Sequence, residues 1–130
     1  MKAIVLSLCL FYCFTATAMT DCQEQQQSQL KYSKCLDQQL TQAERALETW
    51  ENSHRLKLEE MAQRTGRDDP LRLFNRSRTE FKQFSSDHCR WQFLALIPDS
   101  DTGATLFKEC MIKQLNQQIE LLQIVQYPPG

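Results

Sequence analysis

The sequence is poor in the residues that many binding and catalytic motifs require. It contains only three glycines, Gly66, Gly103 and Gly130, so it has no glycine-rich loop to cradle a phosphate group. It contains two histidines, His54 and His88, and no Cys-x-x-Cys pair, which is too little for a zinc site of the usual ligand spacing. These shortages exclude the common nucleotide-binding and zinc-binding motifs.

Only the N-terminus carries a long apolar run. Residues 1–18, MKAIVLSLCLFYCFTATA, have a lysine near the start, an apolar stretch at 3–14 and small or hydroxyl residues before Ala18. This order is typical of a secretory signal peptide, and the apolar stretch is too short for a permanent transmembrane anchor. We therefore predict a signal peptide over residues 1–18 and one exported helical domain over residues 19–130.

Lipid anchoring and nucleic-acid binding are both unsupported by the sequence. Leu8 and Tyr12, rather than small residues, precede Cys9 and Cys13, so we expect no lipid attachment and no membrane anchor. Loss of Lys2 with the signal peptide leaves 14 Lys plus Arg against 16 Asp plus Glu, a formal net charge of −2. Without a basic excess, the chain lacks the electrostatic footprint of a DNA- or RNA-binding protein.

Three segments have the apolar spacing of amphipathic helices, and strand-like alternation is nearly absent. The first is predicted at 36–64, with Gly66 in the left-handed conformation that ends many helices. The second is predicted at 70–96, with Asp69 as its N-cap and Pro70 in its first turn. Its predicted core face consists of Phe74, Phe81, Phe84, His88, Trp91 and Ala95.

A third helix follows, capped by Asp101 or Thr102, with Phe107, Met111, Leu115, Ile119, Leu122 and Val125 on its apolar face. The two longer helices have similar lengths and are joined by a short loop, so they match as an antiparallel pair. The predicted fold class is therefore all-α, a three-helix up-down-up bundle with a short N-terminal segment.

Four cysteines, Cys22, Cys35, Cys89 and Cys110, remain after the signal peptide. In a small exported domain an even number of cysteines indicates a disulfide framework. Cys89 and Cys110 are about level across the hairpin of the second and third helices, so we predict that they pair. By elimination Cys22 then pairs with Cys35, and because a continuous helix would hold them ~20 Å apart, the segment between them must fold back. Four cysteines allow three pairings, and the other two stay open.

The sequence favours structural roles over catalytic roles for its histidines, cysteines and glutamates. His88 and Cys89 are adjacent on a helix and point about 100° apart, so they are not placed as a Cys-His dyad. An apolar-stripe histidine is ordinarily a core residue, and we expect His88 to be one. We expect no enzyme, no metal and no cofactor. The glutamates on the polar side of the first helix are predicted to form a solvated face; they are Glu44, Glu48, Glu51, Glu59 and Glu60.

The loop PDSDTG is the predicted partner-binding site. It carries Asp99, Ser100 and Asp101 on a connection held at its base by the predicted Cys89–Cys110 bridge. The bridge lowers the entropic cost of presenting the loop to a partner. The connection TGRDDP between the first two helices is a second candidate.

The chain resembles the LprI-type lysozyme inhibitor domain, a family of small exported bacterial helical proteins with four cysteines. The resemblance covers nearly all of residues 19–130, through DCQEQQQSQLKYSKC, ALETW, LRLFNRSRTEFKQFSSDHC, DTGATLFKEC and IKQLNQQIELL. It implies a helical, disulfide-held fold that acts by binding a protein, and it carries no inhibitory residue onto this chain.

Two classes of function follow as expectations. The first is a periplasmic or secreted protein that inhibits lysozyme or a related peptidoglycan hydrolase, by presenting the acidic loop to the rim of a cationic muramidase. The second is a structural or adaptor protein of the envelope that binds another protein through a helix face, and an exposed apolar patch would favour it. An immunity protein against a rival's secreted hydrolase is a variant of the first class with a different target.

Overall fold

The computed structural model describes residues 22–128, so the predicted signal peptide lies outside the described residues. Over this range a short 3-10 helix, Cys22–Gln25, precedes three α-helices: α1 at Gln29–Thr65, α2 at Asp69–Ala95 and α3 at Ser100–Gln123. The described residues include no β-strand. The prediction of an all-α bundle with a short N-terminal segment is confirmed.

The C-terminal end of α1 lies within one residue of its predicted position, and the N-terminal end lies earlier than predicted. Gly66 has φ 74°, and its N–H donates to the carbonyl of Ala62, so the predicted left-handed helix end is present. The helix begins at Gln29, earlier than the predicted residue 36. Tyr32 is buried one helical turn before Leu36 and extends the apolar stripe, and the surrounding polar residues are mostly good helix formers.

The start of α2 lies one residue before its predicted position. The helix begins at Asp69, Asp68 occupies the N-cap position without a side-chain capping hydrogen bond, and Pro70 lies in the first turn. Two consecutive aspartates make such an offset hard to predict, since aspartate is a favourable N-cap at either position. The helix ends at Ala95, and a turn containing a cis Ile97–Pro98 peptide bond leads into α3.

The core is centred where α1 and α3 meet. Its buried members are Ala43 and Leu47 of α1 and Leu115, Ile119 and Leu122 of α3, and Phe74 and Phe81 of α2 pack against them. A second cluster joins Cys22, Tyr32, Cys35 and Leu36, with Ile112 packed against it. α3 packs more extensively on α1 and on α2 than those two helices pack on each other. Each leucine or isoleucine side chain buried there contributes about 1.5–3 kcal/mol.

His54 ties the chain after α3 to α1. Its Nε2 lies 2.9 Å from the carbonyl oxygen of Leu122 and its Nδ1 lies 2.6 Å from the Tyr127 hydroxyl. Because a carbonyl only accepts, Nε2 carries a proton, and in the neutral imidazole Nδ1 then accepts from the Tyr127 hydroxyl. Burial raises the pKa of the Tyr127 phenol, which keeps this donor protonated.

Glu51 does not lie on the solvated face where the sequence placed it. Its carboxylate is buried and accepts from Arg78 Nη2 at 2.8 Å, so the pair links α1 to α2 beside the core. The helical period alone puts Glu51 near the edge of the apolar stripe. The ion pair with Arg78 of α2 holds the Glu51 carboxylate on the buried side of α1.

Candidate functional site

One disulfide joins the two helices of the α2–α3 hairpin, and a second joins the N-terminal segment to α1. Cys89 and Cys110 join α2 to α3 with their Cα atoms 5.6 Å apart, and Cys22 and Cys35 are joined with Cα atoms 5.7 Å apart. Both pairings agree with the predictions, and the chain folds back between Cys22 and Cys35 through the 3-10 helix and a turn at 26–28. Cys89 is therefore a structural residue and not a thiolate nucleophile.

The predicted core stripe of α2 is divided between core and surface. Phe74 and Phe81 pack on the core, but Phe84 is 56% exposed and Trp91 is 59% exposed. At about 100° per residue, Phe84 and Trp91 lie roughly 100° and 120° around the helix axis from the buried Ser85, which places them on the flank of the helix. The prediction that the whole stripe is core is therefore wrong for Phe84 and Trp91, and also for Ala95, which is exposed at the end of the helix.

His88 lies with these two aromatics. Its side chain is only half-buried, and its ring centroid lies 5.4 Å from that of Phe84 and 6.3 Å from that of Trp91. The expectation that His88 is a core residue is wrong, because the core-facing side of α2 runs through Ser85 and Cys89. The three rings instead form a partly exposed row, which we call the aromatic row.

Asp99 is the N-cap of α3. Its Oδ1 accepts from the backbone N–H of Thr102 at 3.1 Å, so Asp101 and Thr102 are not the cap that the sequence favoured. Hydrogen bonds from Thr102 lower the pKa of the Asp99 carboxyl below its ordinary value of 3.8. The carboxylate is therefore charged at neutral pH while it remains fully exposed.

Ser100 and Asp101 belong to the first turn of α3 and not to a loop. Both are exposed, and the irregular connection between α2 and α3 is limited to the residues from Leu96 to Asp99. The prediction of a six-residue loop is corrected because the Asp99 cap starts the helix at once. Negative side chains at this end are favoured by the unsatisfied N–H groups of a helix N-terminus.

Apolar side chains lie next to these carboxylates in the chain. Leu94 is 57% exposed and Ile97 is 53% exposed. Together with Asp99, Ser100 and Asp101 they form one end of the α2–α3 hairpin, which we call the tip surface. Sequence reasoning missed Leu94 and Ile97, since an apolar residue at the end of a helix gives no sign of whether another element covers it.

The tip surface rests on tightly packed and well-connected elements. Gly103 approaches α2 so closely that a Cβ atom there would lie 2.8 Å from Phe93 Cδ2. Thr105 accepts from the side-chain amide of Gln29 at 3.0 Å, and Lys108 Nζ lies 2.7 Å from Asp37 Oδ1. These contacts connect the first turns of α3 to both other helices, so the surface is largely pre-organised.

The second candidate loop is smaller than the first. Residues 66–68 separate α1 from α2, and an exposed ion pair joins Arg67 to Asp69 at 3.4 Å. Exposed pairs of this kind contribute little to stability. This connection presents no apolar side chain beside its charges, so the tip surface is the stronger candidate.

Residues 22–128 contain no group of three His, Cys, Asp or Glu side chains arranged to hold a metal ion. No helix in this part of the chain is both long and apolar enough to cross a membrane. Comparisons with protein-family models, with curated proteins and with solved structures found no match.

Proposed function

We propose that the protein is an exported binding protein that inhibits lysozyme or a related peptidoglycan hydrolase. The observation that carries the proposal is the tip surface, where the exposed side chains of Leu94 and Ile97 are followed within a few residues by two exposed carboxylates, Asp99 and Asp101. An apolar centre beside charged groups is the usual composition of a protein-binding surface. The resemblance to the LprI-type inhibitors supplies the class of target.

The target class is consistent with the charges of this surface. Lysozymes of the chicken type are cationic, and a negative surface accelerates the encounter with a positive partner. Leu94 and Ile97 would lose their contact with water in the complex, which supplies the hydrophobic part of the affinity. Because the Cys89–Cys110 bridge and the Asp99 cap already order the surface, little conformational entropy is lost on binding.

Export to the periplasm or the cell exterior is part of the same proposal. Two disulfides within residues 22–128 fit a chain that folds in an oxidising compartment. The N-terminal sequence supports a cleaved signal peptide. A protein in that compartment meets secreted lysozymes before they reach the cell wall.

Lysis of bacterial cell walls by a chicken-type lysozyme tests the function. The oxidised protein at about 10 µM, where a complex of micromolar affinity is mostly formed, should slow lysis. A reduced and alkylated sample should not, because the hairpin is then no longer stapled. Undiminished lysis with the oxidised protein would contradict inhibition of this enzyme.

The paired substitutions D99N and D101N test the site. Asparagine retains the N-cap of α3, so the double variant removes charge without removing the cap. We expect the inhibition constant to rise tenfold or more. The double variant D68N and D69N is a matched control, since it removes the two acidic residues at the start of α2, far from the tip. Equal potency of both double variants and the wild type would exclude the tip surface.

The aromatic row favours a second candidate function. Phe84 and Trp91 are large, exposed and adjacent to the His88 ring, and aromatic residues are common anchors of protein interfaces. An envelope adaptor would bind its partner, or a further copy of itself, through this row. Sedimentation of the oxidised protein and of W91A distinguishes the candidates: self-association lost in W91A favours the adaptor, and a monomer that blocks lysis favours the inhibitor.

A further inference from the structure

A cleft with a volume of about 410 Å³ opens among the three helices, away from the tip surface. Its size is within the range of small-molecule sites. It is lined by Glu44, Leu47, Glu48 and Glu51 of α1, by Arg78, Phe81, Lys82 and Ser85 of α2, and by Met111 and Leu115 of α3. None of these residues contributes to the tip surface or the aromatic row, so the cleft is a separate feature.

The two sides of the cleft carry opposite charges. Glu44 and Glu48 lie one turn apart on α1, and Lys82 lies on α2, one turn from Arg78. The side chains of Glu44, Glu48 and Lys82 form no ion pair with any described residue. Four of the other lining residues are apolar: Leu47, Phe81, Met111 and Leu115.

The buried ion pair between the two sides is incompletely hydrogen-bonded. Arg78 Nη2 donates to Glu51 Oε2, and these side chains are only 22% and 3% exposed. Glu51 Oε1 and Arg78 Nε are also buried, and neither has a hydrogen-bond partner. Buried polar atoms are nearly always paired. The wall of the cleft therefore holds a buried acceptor and a buried donor without partners, each about one turn from an exposed charged side chain, Glu48 on α1 and Lys82 on α2.

We propose that the cleft binds a small zwitterion, a free amino acid or a short peptide with an apolar side chain. Its ammonium group donates to the exposed carboxylate of Glu48, and its carboxylate accepts from the exposed ammonium of Lys82, beside the buried Glu51–Arg78 pair. Its apolar part lies on Leu115 and the neighbouring apolar lining. A simple cation or anion fits less well, because one side of the cleft attracts it and the other repels it. This proposal does not depend on the proposed function.

Titration of the oxidised, isotope-labelled protein with leucyl-leucine, followed by NMR, tests the proposal. We expect saturable shifts of cleft resonances. N-acetyl-leucyl-leucine and leucyl-leucine amide each lack one terminal charge and should bind at least tenfold more weakly, which corresponds to about 1.4 kcal/mol. Tighter binding of free leucine than of the dipeptide identifies an amino acid as the ligand, and the reverse identifies a peptide.

Two exposed residues allow the sides of the cleft to be tested separately without disturbing the core. E48Q should reduce the preference for a free amino terminus, and K82Q should reduce the preference for a free carboxylate. E120Q, on an exposed position of α3 outside the cleft, should change neither preference. Equal binding of the free and capped dipeptides, or no shift of cleft resonances with any of these compounds, would overturn the proposal. A ligand-free crystal structure in which Arg78 Nε donates directly to Glu51 Oε1 would also count against it.

Discussion

At the scale of single residues, Asp99 connects the stability of the fold to the proposed binding surface. Its carboxylate accepts the Thr102 N–H and so caps α3, and the same carboxylate is exposed to a partner. Hydrogen bonding lowers its pKa from 3.8, which means that the folded state favours the charged form. The stabilisation is therefore complete above the unfolded pKa, near pH 4, and is lost as the pH falls through the lowered pKa.

We expect D99A to lower the melting temperature at pH 7, because the N–H of Thr102 loses its acceptor. The difference between wild type and D99A should shrink as the pH is lowered below 4. D99N is the control, since asparagine accepts the same hydrogen bond without titrating. A difference between wild type and D99A that is unchanged at pH 2 would show that the charged carboxylate is not the cap.

The Glu51–Arg78 pair predicts a large effect of removing one partner. Glu51 is almost fully buried, so R78A leaves a buried carboxylate without its cation and should lower the free energy of unfolding by about 3 kcal/mol. Urea denaturation measures this loss. The double variant E51L and R78L should lose clearly less than the two single leucine variants combined, because no unpaired charge remains. Additive losses would mean that the two residues do not act as a pair.

At the scale of elements, the contact between α2 and α3 depends on Gly103. A Cβ atom at this position would lie 2.8 Å from Phe93 Cδ2 and 3.2 Å from the Phe93 carbonyl oxygen. Alanine in place of glycine usually stabilises a helix by about 1 kcal/mol, but overpacking costs about 1–3 kcal/mol. The crowding therefore outweighs the gain in helix propensity.

We expect G103A to lower the free energy of unfolding by about 1 kcal/mol, as measured by denaturant titration. The variant F93L is the matched background, because the smaller side chain removes the closest contact. Adding G103A to F93L should cost less than adding it to the wild type. An equal cost in both backgrounds would place the strain elsewhere than at Phe93.

Features of the helices that depend on neighbouring residues in the chain could be predicted from the sequence. Gly66 adopts the left-handed conformation that favours glycine, and the apolar stripe of α1 through Leu47 and Leu58 is buried. The exposure of Phe84 and Trp91 was not predictable, because a helical stripe shows which side chains align but not which flank another helix covers. The inward turn of Glu51 likewise depends on Arg78, which lies on a different helix.

The disulfides act at the scale of the whole molecule. Cys89 and Cys110 are 21 residues apart, and closing a loop of that size stabilises the folded state by about 3 kcal/mol in the chain-entropy model. We expect the double variant C89S and C110S to lose about this much free energy of unfolding in denaturant titration, and to lose inhibition with it. Unchanged inhibition by a still-folded variant would show that the staple does not order the binding surface.

The Cys22–Cys35 pair is the matched comparison. It closes a shorter loop, with a separation of 13 residues, and its short helix packs on α1 rather than on α2. Replacement of this pair should destabilise the N-terminal segment while leaving the α2–α3 hairpin and its tip intact. Inhibition should therefore persist in the variant C22S and C35S at temperatures where the bundle remains folded.

The candidate site was predictable only in part. The acidic residues Asp99 and Asp101 stand out in the sequence because they occupy a short connection between two predicted helices that Cys89 and Cys110 were expected to join. Their place in a capped helix turn, and the exposed leucine and isoleucine beside them, follow from how α2 ends and α3 begins. The cleft among the three helices could not be predicted, since its lining depends on how α1, α2 and α3 are placed relative to one another.

NMR mapping of a chicken-type lysozyme on the isotope-labelled, oxidised protein is the most direct test of the central proposal. We predict that lysozyme shifts or broadens the resonances of residues 94–101, with little change at Phe84, Trp91 or the cleft. Loss of these changes in the double variant D99N and D101N would assign the contact to the tip surface. No change anywhere with an excess of lysozyme, or changes confined to the aromatic row, would contradict inhibition through this surface.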